Sequence, residues 1–481
     1  MSEGYIPTIG LEIHAELNTR TKMFCGCKND PDEPRPNTNI CPVCMAHPGT
    51  LPVINKEAVH KILLVGEALG ARLADRTYFD RKNYFYPDIP KGYQISQYKD
   101  PLVSGGSLAG VDITRVHLEE DTARSQHIGK KSLIDFNRAG VPLMELVTEP
   151  CIHTAEVAGA FARELQLLLW YLGAGEANME KGEMRVEANI SVSRSDLKSG
   201  SPKVGPLGTK VEVKNLNSFR SVERAIAYEV KRQSAALEKG EKIVQETRGW
   251  DEGKQATYPM RKKESSHDYR YFPEPDLPEL AISELPEFSR EALRRELPLL
   301  PAARRAAYLE LDLKKADADL FVREAHLGDF FDRVRQELSA DEMKLAANYI
   351  ASDVAGKYAA RTLTDEWLAA AGNARRFQKL MRMTASAALS SRGAKDTLDL
   401  MLASEDDPEA LAKERGLLQE SDTGRIEEVV RSIAGKHPNV VSEYRAGKTA
   451  ALQFLIGQGM KETKGSANPA LLKSAFEKLL N

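Results

Sequence analysis

Two pairs of cysteines constrain this chain more than any other feature. Cys25 and Cys27 form a CxC pair, Cys41 and Cys44 form a CxxC pair a short loop later, and only Cys151 stands apart. Two closely spaced thiol pairs suit tetrahedral Zn²⁺, and Gly26 and Pro42 supply tight turns that aim the sulfurs inward. With all four positions filled, none is left for water or substrate, so a zinc held there is structural. Apparent binding energies of roughly 10–16 kcal/mol for peptide sites of this kind rival the whole stability of an ordinary domain, about 5–15 kcal/mol. Loss of one ligand is therefore expected to unfold the 25–44 loop. The alternative is a set of unliganded thiols or a redox pair. Residues Met1 to Gly10 lack the basic start and apolar stretch of a signal peptide, so a reducing, cytoplasmic compartment is expected, which argues against disulfides.

At 481 residues the chain is too long for one compact core, and two to four domains are expected. No apolar run reaches the roughly 18 residues of a membrane span. The formal net charge of −3 excludes an overall basic coat, so any nucleic-acid site must be concentrated. Up to about residue 288 the text alternates strands and turns. Ile9, Leu11, Ile13, Ala15 and Leu17 point one way, and Glu12, His14 and Glu16 the other, which predicts a half-buried strand with an acidic, histidine-bearing face. Further strands are expected at Ile113–Leu118, Met184–Ser193 and Thr209–Asn215, and helices after Asn55 and Thr154, each a good N-cap. Prolines 273, 275, 278, 286, 298 and 301 crowd a short region, and beyond it strand signals almost vanish. The predicted class is α+β: a mixed or antiparallel sheet domain with a zinc knuckle over 1–290, an all-α helical domain over 291–405, and a small all-α tail over 406–481. Asn468 and Pro469 open the last helix, and from Asn439 onward six Lys/Arg face three Glu, so the tail is locally basic.

Glu12 and His14, two residues apart on a strand, project side by side, and a third acid from Glu119, Glu120 and Asp121 would complete a divalent-ion cluster. Spacing does not say which of the three faces the site, and an ordinary solvated strand face is the plain alternative. Glu180, Glu183 and Glu187 raise the same question. The run Arg81, Lys82, Asn83, Tyr84, Phe85, Tyr86, followed by Lys91, interleaves cations with aromatics, as phosphate neutralisation and base stacking require. A hairpin with aromatic core residues explains it equally well. The DYRYFPEP string at 268–275 reads rather as a domain-closing loop. Gly447, Lys448 and Thr449 imitate the end of a phosphate-binding loop, but Ser442 stands where its first glycine belongs.

The strings GLEIHAEL (10–17), FDRKNYFYPDIPKGYQISQY (79–98), HLEEDTARS (117–125), FNRAGVPLMELVTEP (136–150), VEVKNLNSFRSVERAI (211–226) and HDYRYFPEPDLP (267–278) closely resemble the GatB family, the B subunits of aspartyl/glutamyl-tRNA amidotransferases. YRAGKTAALQFLIGQGMKETKGSANP (444–469) is similar to that family's C-terminal helical tRNA-binding domain. The resemblance implies ATP-dependent transamidation, in which Glu or Asp mischarged on tRNA(Gln) or tRNA(Asn) is activated as an acyl phosphate in a cradle-shaped domain. Ammonia derived from glutamine then attacks, delivered by an amidase A subunit that a small C subunit ties to this one. The implied Mg²⁺ ligands are Glu12, His14 and Glu120. Glu180 and Glu187 are the implied neighbouring acids, the latter where relatives often have Asp. Lys82 and Lys91 are the implied phosphate-neutralising lysines. Arg81 and Tyr84, with Arg445, Lys448, Lys461 and Lys464 of the tail, are the expected tRNA contacts. A zinc-stabilised, noncatalytic tRNA-binding scaffold is the competing reading.

Overall fold

The alternation in the first residues is realised in β1 (Tyr5–Glu16), which buries Ile9, Leu11, Ile13 and Ala15 on one side. The computed structural model describes residues 4–194, 207–262, 269–419, 423–463 and 467–480. It divides into two compact units, Met1–Pro301 and Ala302–Asn481.

The first unit is built on a ten-stranded sheet whose other long strands, in chain order, are β2 (Val111–Glu120), β3 (Pro142–Thr148), β4 (Met184–Arg194), β5 (Val211–Leu216), β6 (Glu246–Asp251) and β7 (Ala256–Lys262). Across the sheet the order is β7-β6-β5-β4-β1-β3-β2, followed by two-residue strands at Val103–Ser104 and Arg72–Leu73. Neighbours among the long strands are antiparallel except β5 and β6. A parallel pair needs a crossover, and α3 (Phe219–Glu238) supplies it.

Helices α1 (Lys56–Ala68), α2 (Ala155–Tyr171) and α3 share the core with the apolar side of the sheet. Ile62, Leu63, Phe161, Leu165, Val222 and Ile226 join Leu11, Ile13, Val116, Leu146, Val186 and Val213 in one cluster. The caps are as expected: the Asn55 side chain accepts from the N–H of Glu57 and Ala58, and Thr154 from that of Val157. The sequence reading missed α3. Two of its buried positions are Glu229 and Gln233, which interrupt the apolar stripe; Glu229 accepts from Arg232, Thr257 and Gln233, and the Gln233 amide also donates to the Ile190 carbonyl. Because the helices take the apolar side, the opposite side of the central strands is left to polar residues.

The second unit is helical. Tyr308, Phe321, Phe330, Phe331 and Phe377 form its aromatic centre, with Phe321 and Phe331 stacked at 4.9 Å. One helix, Ala340–Tyr349, passes through a π-helical turn at Ile350–Val354 before Ala355–Ala359. The last four helices, Thr423–Lys436, Pro438–Arg445, Thr449–Glu462 and Pro469–Leu480, bury Ile426, Val430, Ile433, Leu455, Leu472 and Phe476 in a core of their own. Asn468 Oδ1 caps the last helix by accepting from the N–H groups of Ala470 and Leu471. Among the described residues no helix is long and apolar enough to cross a membrane.

Candidate functional site

Register decides what meets on the polar side of the sheet. His117 of β2, Glu145 of β3, His14 of β1 and Arg185 of β4 are direct cross-strand partners, so they form one row. Glu12 lies opposite Glu187 in a neighbouring row. His14 Nε2 is 3.4 Å from both Glu119 Oε1 and Glu145 Oε2, and His117 Nε2 is 3.4 Å from the same Glu145 oxygen. Ser96 Oγ donates to Glu119 Oε2 at 3.2 Å, and Lys214 Nζ lies 2.8 Å from Glu187 Oε2.

Donor atoms of Glu12, His14 and Glu145 all lie within 4.8 Å of one another, as do those of His117, Glu119 and Glu145, and those of Glu12, Glu187 and Glu212. Carboxylates with one or two imidazoles are a donor set for a hard or borderline divalent ion, and the charges favour one. Burial, reinforced by Glu145 and Glu187, pushes the Glu12 carboxyl above its usual range. A cation would relieve that crowding. His14 is shifted the other way from what burial alone would do: hydrogen bonds to Glu119 and Glu145 outweigh desolvation and hold its pKa well above the usual histidine value, so the imidazole keeps a proton that a bound cation would have to displace. Glu145 is likewise kept well below the carboxylate range against desolvation, by His117 and His14.

Lys82 faces this cluster. Burial acts against its charge, but Glu119, Tyr271 and Glu145 prevail and raise its pKa. Its ammonium sits over the Tyr269 ring at 5.3 Å, and Tyr269 in turn meets Tyr84 edge-on at 5.7 Å. Tyr271 stacks on Tyr98 at 4.1 Å and 11°. The 268–275 string, read from sequence as a closing loop, therefore brings Tyr269 and Tyr271 into the site.

Several expected site residues lie elsewhere. Glu120 follows Glu119 on the same strand and so faces the other way, accepting from Lys91 Nζ at 2.7 Å and from the Ile95 N–H at 2.9 Å. It is not one of the clustered donors; Glu145 and Glu119 take that place. Lys91 accompanies Glu120, and both line a cavity of about 230 Å³ beside Cys25, Cys44 and Gly140. Glu180 is exposed in a turn, its N–H bonded to Asn178 Oδ1, away from the acids. Arg81 is occupied by buried Glu274 through two 2.7 Å bonds and by Asp276 at 3.2 Å, an arrangement that leaves it little to offer a phosphate. Glu187 does join the cluster, through Glu12 and Glu212. In the second unit Arg445, Lys448 and Lys461 are exposed, with Lys448 3.4 Å from Glu443, and Lys464 lies outside the described residues.

The four cysteines come together as their spacing predicts. Their sulfurs lie within 4.8 Å of one another, with Cys41 and Cys44 Sγ 3.9 Å apart. The hydrogen bond between Cys25 and Cys44 brings the Cys44 pKa down to about 5 and pushes the Cys25 thiol well up, so the two share one proton as a thiol–thiolate pair.

Glu145 was missed as a partner of His14, and Glu119 was one of three acids among which spacing did not choose, yet each carries a signal. Glu145 is the one charged residue in the apolar PLMELVT strand, and Glu119 shares strand parity with His117. Residues 7–286 match the family described as the GatB/GatE catalytic domain, and residues 329–480 match the GatB domain. The chain is 46% identical to the aspartyl/glutamyl-tRNA(Asn/Gln) amidotransferase B subunit of a Thermus thermophilus strain, over 98% of both chains. The B subunits of the same name from Crocosphaera subtropica and Brevibacillus brevis are 41% and 40% identical, over 99% of this chain and 98% and 99% of theirs. With the acidic and histidine row, the four-cysteine loop and two family domains in one sequence, this chain belongs to the GatB family of aspartyl/glutamyl-tRNA amidotransferase B subunits.

Proposed function

We propose that this subunit of a tRNA-dependent amidotransferase activates the side-chain carboxylate of Glu-tRNA(Gln), Asp-tRNA(Asn) or both with ATP, for amidation by ammonia from a partner. The observation that carries this reading is the meeting of Glu12, His14, Glu119 and Glu145 on one sheet face with Lys82 beside them. A carboxylate is a poor acyl donor because its leaving group would be oxide. Transfer of the γ-phosphoryl group to a carboxylate oxygen replaces that leaving group with phosphate. Such a step is carried by positioning and by neutralising the charge brought together.

Each residue has a part in that step. Glu12, His14 and Glu145, rather than Glu120, hold the Mg²⁺, with Glu119 orienting His14 through its 3.4 Å contact. Bound there, the ion would supply positive charge to offset the negative charge of the phosphates. Lys82 adds a fixed positive charge, and Tyr84, Tyr269 and Tyr271 shield it from water. Glu187 and Lys214 form a second charged pair at the edge of the cluster. The four cysteines hold a structural zinc. The partners are an amidase A subunit, together with a small C subunit, since releasing ammonia from glutamine needs an activated nucleophile and Cys151 stands in no recognisable catalytic motif. The basic tail grips tRNA, and the cytoplasm is the compartment.

The test is to reconstitute the chain with its amidase partners and supply mischarged Glu-tRNA and Asp-tRNA, ATP and glutamine. The amino acid left on each tRNA is then identified while phosphate release is followed. Gln or Asn on the tRNA, with matching ATP cleavage, is expected. Binding of tRNA with no ATP consumed would favour the noncatalytic scaffold and defeat the reading.

A further inference from the structure

Between the two site strands β2 and β3 the chain makes an excursion that the chemistry above does not use. Residues Arg124–Ile128 and Lys131–Asp135 pair as a separate two-stranded hairpin, turning at Gly129 with φ +60°. Every residue from Arg124 to Leu133 is exposed, including Ile128 and Leu133 at just over half of their surface. A lone hairpin with no core is marginal in water. This one is held from its base.

The clamp comes from the segment between the cysteine pairs. Arg124 Nη2 lies 3.0 Å from Asp32, and the Asn37 N–H donates to Asp135 Oδ1 at 3.0 Å. The Phe136 N–H donates to Asn37 Oδ1, and the N–H groups of Thr38 and Asn39 both donate to Oδ1 of fully buried Asn137. Buried Lys22 donates to the carbonyls of Phe136 and Ala139 at 3.1 and 2.7 Å. The loop closed by Cys25, Cys27, Cys41 and Cys44 is thus the fixture on which the arm is mounted.

The arm's far end is cationic and half apolar. Lys130 and Lys131 are exposed with no ion pair among the described residues, and His127 is held by Ser132 at 2.8 Å. Lys131 is the cross-strand partner of Ile128 and shares a face with Leu133. Lys130 stands eleven positions after Glu119, so the two are at most about 36 Å apart, within the span of a large substrate whose end enters the acidic row. Positive charge beside an apolar strip matches the phosphates and sugars of the wide, shallow RNA minor groove, and does not match an acidic metal site.

We propose that the 124–135 hairpin is an RNA-contacting arm, mounted by the four-cysteine loop, that grips the phosphodiester backbone of the aminoacyl-RNA near its reactive end. This rests on the amidotransferase reading and adds a contact outside the basic tail. The test uses the full chain in its complex, with K130A/K131A, K130R/K131R and the parent compared for tRNA affinity across salt concentrations. Loss of two phosphate contacts is expected to weaken binding by at least about tenfold near 0.1 M salt and to reduce the salt slope by about 1.5. The arginine variant is expected to bind like the parent, and all three to melt together. An alanine variant with unchanged affinity and slope would overturn the arm while leaving the amidotransferase reading intact. Failure of the parent itself to bind tRNA would overturn that reading instead. An alanine variant that binds tRNA normally but no longer assembles with its partner subunits would make the arm a protein contact and also overturn the proposal.

Discussion

His14 and Glu145 are direct cross-strand partners on β1 and β3, and their side chains meet at 3.4 Å on the polar side of the sheet. One imidazole and one carboxylate are thereby fixed by backbone register rather than by a flexible loop, as a preorganised ion site requires. Replacing Glu145 by Gln keeps its shape and removes its charge. We expect E145Q and E12Q each to lower tRNA-dependent ATP cleavage by about 10²-fold or more, with tRNA affinity within about twofold of the parent. E120Q is expected to leave the Mg²⁺ dependence of that cleavage unchanged. Phosphate release measured across a Mg²⁺ titration checks all three, and full cleavage by E145Q would remove Glu145 from the ion site.

Arg81 offers a contrast between binding and stability. Its guanidinium is held by two bonds to Glu274, a residue only 4% exposed. R81A would strand that carboxylate, and we expect a loss of about 3–5 kcal/mol in chemical denaturation of the first unit. The salt slope of tRNA binding is expected to stay as it is. A stable R81A protein with a shallower slope would return Arg81 to the RNA contacts.

For the four-cysteine loop the expected outcome concerns both metal and backbone. C41S should lower bound zinc from one per chain to none, and expose the segment between Cys27 and Cys41 to protease. Metal analysis and limited proteolysis of the same sample check this. A C41S chain that stays zinc-free and uncut would mean that the metal does not hold the loop.

In the helical unit Gly328 is fixed by contact. A Cβ there would stand 2.3 Å from the Phe321 carbonyl oxygen and 3.0 Å from Arg304 Nη2. Arg304 itself ties Asp329 and Asp332 at 2.6 and 2.8 Å. We expect G328A to cost about 1–3 kcal/mol by overpacking, read as a lower urea midpoint for this unit. An unchanged midpoint would show that the helix pair yields without cost.

What could be read in advance follows from the range of each signal. The period of two in residues 9–17 placed Glu12 and His14 on a shared face, and the cysteine spacing placed four sulfurs together, because both signals are local. The choice between Glu119 and Glu120 turned on strand parity relative to a distant partner, and the resemblance pointed to the one that faces away. Glu145 looked like an isolated charge in an apolar strand until pairing set it beside His14. Tyr269 and Tyr271 reach Lys82 and Tyr84 from nearly two hundred residues away, over a sequence separation that no local pattern encodes. Arg81 misled for a related reason: its partner Glu274 lies in the same remote segment.

The opposed orientation of Glu119 and Glu120 has a consequence for how such a chain can change. Deleting one residue upstream within β2 would bring Glu120 to the place beside His14 and carry Glu119 to the other face, out of register with Lys91, while inserting one would bring Glu119 to Lys91 and leave the place beside His14 to Leu118. Two separate charge arrangements would be lost in a single event. Point substitutions are the only gradual route open to that strand, and length variation in its descendants is confined to the connections at its ends.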